Sequence, residues 1–156
     1  MIVLGLDPSL SCTGWGVIRV EGSRLIHVAN GQVPTSVKAP MAARLDHLYA
    51  AIAAIVAAHA PDRAAAEEIF ANKNAQSTIK LAQARGAVLA ACGASGLAVN
   101  EHSARLVKKS VVGTGAADKT QVQAMLKVLL PGAKIAGADA ADALAVAIAD
   151  AHLTRG

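Results

Sequence analysis

The chain has 156 residues, 54% of them apolar and 17% charged, with fifteen Lys and Arg against eleven Asp and Glu for a net charge of +4. That length fits one domain spanning residues 1–156 with a real core, and the charged fraction is too low for disorder. Two distant cysteines, Cys12 and Cys92, with no CxxC and no paired His spacing, argue against a zinc site or a disulfide framework.

No basic region with a cleavable apolar segment opens the chain, and the apolar stretch 50–58 is too short and too weakly hydrophobic to span a bilayer, so a reduced, cytoplasmic protein is expected. Aromatics nearly vanish, which makes Phe70, Trp15 and Tyr49 worth locating, although a lone aromatic often only fills the core. The mildly basic balance is compatible with a polyanionic partner. Lys73, Lys80, Arg85, Arg105, Lys108, Lys109 and Lys119 crowd the middle third of the chain.

Residues 2–7 read as a buried strand ending at Asp7-Pro8. Residues 15–20 and 25–33 read as two more, joined by the turn Glu21-Gly22-Ser23, which makes an antiparallel meander; Asn30-Gly31 suggests a second turn or a bulge. Residues 41–60 form a helix, with Met41, Leu45, Leu48, Ile52 and Ile55 at three- and four-residue steps and Pro61 at its end. Residues 63–67 are ambiguous: three alanines favour helix, yet Pro61-Asp62 has just broken one. A helix over 75–92, a short strand over 97–99, helices over 103–112 and 118–130, and a last helix over 138–152 follow. Strands first, then helices interleaved with single strands, point to a mixed α/β sheet covered by helices.

Asp7 ends an otherwise apolar strand, where a charge must be solvated, paired or metal-bound. Glu67 ends the candidate strand 63–67. Asp139 and Asp142 stand three apart on one face of the last helix, beside its apolar stripe. Together they are the ingredients of a site for a hard cation such as magnesium or manganese. Each acid has a plainer alternative: Asp7 as a turn former, Glu67 or Glu68 as a surface acid, Asp139 as a helix-terminal charge.

Longer motifs decide between these. Gly5-Leu6-Asp7-Pro8 with Thr13-Gly14-Trp15-Gly16, then Glu67-Glu68-Ile69-Phe70, Lys73-Asn74-Ala75, Ala82-Gln83-Ala84-Arg85-Gly86, Val107-Lys108-Lys109, Val111-Val112-Gly113-Thr114-Gly115, Lys119 with Gln121-Val122, and 138–145 occur in this order. The series resembles the RuvC crossover-junction endonucleases (Holliday-junction resolvases) over nearly the whole chain.

The resemblance implies an RNase H-like fold, a five-stranded mixed sheet flanked by helices, with a strand at 63–67. It implies that Asp7, Glu67, Asp139 and Asp142 are the catalytic, metal-binding carboxylates, with two Mg2+ per site and Mn2+ as a substitute. Glu67 is preferred to Glu68 because it stands three residues before Phe70. It further implies a homodimer that nicks four-way junction DNA symmetrically in recombination and repair, leaving 5′-phosphate and 3′-hydroxyl ends, with a RuvAB branch-migration complex as partner. Phe70 is then a wedge that stacks on a base, and Lys108 and Lys119 hold phosphates beside the metals. Arg85, Lys73, Lys80 and Lys109 are weaker candidates for the DNA surface, and His102 and His152 are structural or surface residues. Ser9 and Glu68 depart from the family's usual residues. The rivals are a YqgF-type RNA-processing nuclease and a junction-binding protein without nuclease activity.

Overall fold

Ile2–Asp7 (β1) runs through the middle of a five-stranded sheet in a computed structural model that describes residues 1–70 and 73–154. Its neighbours are Cys12–Glu21 (β2), antiparallel, and Arg63–Glu67 (β4), parallel. Arg24–Pro34 (β3) and Val99–His102 (β5) form the edges, giving the order β3-β2-β1-β4-β5. A central strand buried on both faces needs an unbroken apolar run, and Val3, Leu4 and Leu6 are fully buried.

Met41–His59 (α1) and Ala75–Ala94 (α2) cover one face, where Leu4, Leu6 and Val17 meet Ile52, Val56 and Val88. Ala104–Val112 (α3), Lys119–Leu129 (α4) and Ala138–Leu153 (α5) cover the other, where Val3, Ile18 and Ala65 meet Val107, Leu126, Leu144 and Ile148. By length and composition alone α1 is apolar enough to cross a membrane, beyond what its 50–58 stretch suggests. Its Leu48, Ile52 and Val56 are instead packed into the protein's own core.

The ambiguous residues 63–67 form a strand because Ala64, Ala65 and Ala66 are fully buried between β1 and β5. Tertiary hydrogen bonding there overrides the helix preference of alanine. β5 lies at 99–102 rather than 97–99: the Leu97 N–H donates to the Cys92 carbonyl and finishes the turn after α2, so strand pairing begins later. Asn30-Gly31 makes no turn; β3 passes straight through it, and the irregularity of the ladder falls opposite Val17 and Ile18.

α5 is buried nearly all round from Ala143 to Ala151, the signature of a helix inside the core rather than on its surface. Its approach to the sheet is backbone-close. A Cβ added to Gly5 would stand 2.0 Å from the Ala143 carbonyl oxygen, and one added to Gly14 would stand 1.9 Å from that of Asp139. Gly14→Ala must therefore lift the N-terminal end of α5. It should destabilise the protein by about 1–3 kcal/mol, as overpacking does, measured by urea unfolding, and an unchanged midpoint would show that this contact does not hold the helix.

Candidate active site

Asp7 and Glu67 end adjacent parallel strands, one residue beyond the pair Leu6 and Ala66. Alternation along the strands puts them on the face of Gly5 and Ala65, which is the face covered by α5. Asp139 and Asp142 stand in the first turns of α5. Gly14, the β2 partner of Asp7, lies directly under the Asp139 backbone. The fold thus brings all four sequence-predicted acids to one end of the sheet.

Asp139 is not needed as a cap. The N-cap position is Gly137, and the Gln32 side-chain oxygen on β3 accepts from the Asp139 and Ala140 backbone N–H groups at 3.1 and 3.4 Å. Gln32 was not foreseen, because a contact across 107 residues leaves no local signal. Cys12, the first residue of β2, also faces the acids: burial pushes its thiol up, and Asp139 and Asp7 add to the effect.

The carboxylates share one field. Burial, followed by Asp142, Glu67 and Asp139, pushes the Asp7 carboxyl from 3.8 up to about 7, against a lowering by Lys119. Burial and then Asp142 push Glu67 up, opposed by Lys108, Lys119 and Arg85. Asp142 in turn holds the Lys119 ammonium charged, at 3.3 Å.

Lys119 is the first residue of α4, and its position is fixed by a capping box: Asp118 accepts from the Gln121 N–H while the Gln121 side chain accepts from the Asp118 N–H. The Asp118-x-x-Gln121 spacing is a legible signal for that start. Lys108, on α3, shares with Glu67, Lys119 and Asp142 a cleft of about 200 Å³.

The other candidates scatter. Phe70 is 70% exposed, three residues past Glu67. Lys73, Lys80 and Lys109 are exposed, and Lys80 opens onto a different groove, with Ser9, Ser11 and Arg44. Glu68 is exposed, and its N–H donates to the His102 carbonyl. His102 contacts buried Asp150 at 2.8 Å, and His152 contacts the Ser110 carbonyl at 3.1 Å. Arg85 is a correction to the expected DNA surface. It is buried on the α2 side, with its guanidinium donating to the Glu67 carbonyl and to Glu101, so it has no face to offer a phosphate.

An all-carboxylate donor set suits a hard divalent cation, and the raised Asp7 and Glu67 carboxyls record burial first and then the repulsion from neighbouring acids that such a cation relieves. Among the described residues no three acid, His or Cys side chains are already drawn into a closed cage; Asp142 is turned to Lys119. Because the folded Asp7 holds its proton up to about pH 7 while the unfolded one releases it near 3.8, the metal-free fold loses stability as pH rises between those values. Above about pH 7 the full penalty is present. Asp7→Asn should therefore raise the metal-free Tm at pH 8, by roughly 2–4 °C per kcal/mol relieved, with the gain shrinking toward pH 4. A gain that is absent at pH 8, or that grows on acidification, contradicts this account.

Comparison with known proteins agrees with this geometry. The family model described as crossover junction endodeoxyribonuclease RuvC matches residues 3–150. The crossover junction endodeoxyribonuclease RuvC of Erythrobacter litoralis is 82% identical over 97% of this chain and 93% of its own, and that of Sphingopyxis alaskensis is 64% identical over 99% of both. The structure of T. thermophilus RuvC in complex with Holliday junction substrate superposes with a TM-score of 0.92 at 32% identity, covering 99% of this chain and 95% of that one. The yeast mitochondrial Holliday junction resolvase Ydc2, at 12% identity and a TM-score of 0.67, shares the fold. With its RNase H-like sheet and an end-to-end match to these proteins, the chain belongs to the RuvC family of metal-dependent crossover junction endodeoxyribonucleases.

Proposed function

We propose that this chain, as one nuclease domain, resolves four-way Holliday junctions by paired symmetric nicks, with Asp7, Glu67, Asp139 and Asp142 holding two Mg2+ ions that Mn2+ can replace. The observation that carries the reading is the convergence of two strand-end carboxylates and a helical pair beside Lys108 and Lys119. Those four carboxylates would hold the ions, which would supply charge stabilisation for the attacking and leaving oxygens of phosphodiester hydrolysis. The T. thermophilus relative described with its junction substrate supports the choice of DNA.

The chain's own residues divide the remaining work. Lys119 and Lys108 stand beside the carboxylates and neutralise charge building on the scissile phosphate. Phe70 stacks on a base at the exchange point, and exposed Lys73 adds a backbone contact. No nucleophilic side chain is required: water attacks, leaving 5′-phosphate and 3′-hydroxyl ends. A homodimer follows from the twofold junction, with one site per subunit. A RuvAB branch-migration complex as partner and a cytoplasmic place of action, in keeping with two free cysteines, complete the proposal.

The test is cleavage of a synthetic four-way junction against a linear duplex of the same sequence, in Mg2+, Mn2+ or EDTA. Paired nicks in the junction alone, lost with EDTA and in Asp7→Asn, are expected. Junction binding without cutting in either metal would leave only a binding module, and preferential cutting of RNA would replace the proposal with a processing nuclease. In the same assay Phe70→Ala should slow junction cleavage about 5–150-fold, from the roughly 1–3 kcal/mol of a base–aromatic stack, while leaving the metal concentration for half-maximal cutting unchanged. Wild-type cleavage by that variant removes the wedge.

A further inference from the structure

Arg85 and Asp150 are the charged residues that lie fully inside the protein among those described. Asp150 is surrounded by Arg63, Asn100 and His102, an anchor for the far end of α5. Arg85 is different, because one of its two acceptors belongs to a proposed metal ligand. Its Nη1 donates to the backbone carbonyl of Glu67, and its Nη2 donates to the carboxylate of Glu101 on β5.

The other polar end of the same peptide group is held as well, since the Glu68 N–H donates to the His102 carbonyl at 2.8 Å. Both polar ends of the Glu67–Glu68 peptide unit are thus pinned, the carbonyl from α2 and the N–H from β5. That unit fixes the backbone direction from which the Glu67 carboxylate projects and the direction in which the chain leaves toward Phe70.

Arg85 reaches this peptide from the α2 face, whereas the Glu67 carboxylate belongs to the α5 face. It therefore cannot touch the scissile phosphate and can act only through Glu67. An ion pair between a buried arginine and a half-exposed glutamate is weak evidence for stability. What an apolar chain, or the single ammonium of a lysine, cannot do is bridge two acceptors on different strands with one rigid fork.

We infer that Arg85 is a positioning residue for Glu67: its fork sets the Glu67–Glu68 peptide so that the carboxylate meets the metal. This rests on the reading of Glu67 as a metal ligand. The test compares full-length Arg85→Met, Arg85→Lys and Glu67→Gln with wild type by thermal melting, junction binding in EDTA, and single-turnover cleavage across a Mg2+ titration. Arg85→Met should bind junction within about twofold of wild type, yet cut about 10–100-fold more slowly and need several-fold more metal, the usual effect of losing a ligand's outer partner. Arg85→Lys should recover only part of the rate.

If Arg85→Met melts below the assay temperature, Arg85→Lys decides, and a wild-type rate and metal midpoint for that variant overturn the inference. The same result for folded Arg85→Met overturns it too, leaving Arg85 as packing. Glu67→Gln separates the two levels. A dead Glu67→Gln beside fully active Arg85 variants removes only the positioning role, and an active Glu67→Gln removes the reading of Glu67 on which it stands.

Discussion

The acidic end of the molecule depends on how closely α5 lies against β1 and β2. At Gly5 and Gly14 the helix backbone and the strand backbone leave no room for a methyl group, and seven of the eleven buried residues of α5 are alanines. Alanine buries little apolar area per residue, so a core built from it must gain through short backbone separations and dense packing. The alanine-rich composition is thus a consequence of bringing a helix, with its two aspartates, down onto strand-end carboxylates. Gln32 caps the helix at the acidic end, and the Arg63, Asn100 and His102 contacts to Asp150 hold it near the other. Between those fixed points α5 has little freedom to slide.

This architecture works against the electrostatics of the metal-free protein. Four acids are gathered at one end of the sheet, where burial and repulsion disfavour the charged forms of Asp7 and Glu67, and Asp7 feels all three of the others. Packing contributes the free energy that holds them there, and Lys119 offsets part of the repulsion at Asp142. A local conflict of this kind, inside a fold whose other levels agree, is the expected mark of a functional site.

Much of this was legible in sequence. The meander, the helices at 41–60, 75–92 and 138–152, and the acidic positions all followed from periodicity, breakers and motif order. The strand at 63–67 was not legible locally, because three alanines carry no strand signal and only their neighbours on both sides make them one. The choice of Glu67 over Glu68 came from the motif and agrees with strand alternation, which turns Glu67 toward α5 and leaves Glu68 exposed. Arg85 and Gln32 were beyond reach for one physical reason: each is defined by a partner on another element. Nothing in the local sequence separates a buried arginine on a helix from an exposed one.

Once Arg85 is assigned to the interior, the remaining cations explain how a polyanion can approach an acidic centre. Four ionised carboxylates would repel a phosphate, and Lys108 and Lys119 alone cannot reverse that field. One divalent ion together with both ammonium groups only brings the centre to neutrality. Two divalent ions cancel the carboxylates by themselves and leave the two lysines as the surplus facing the phosphate. The two-ion form proposed above is in keeping with this count. It also assigns the lysines a role that depends on the metals being bound, since without them Lys119 is occupied by Asp142.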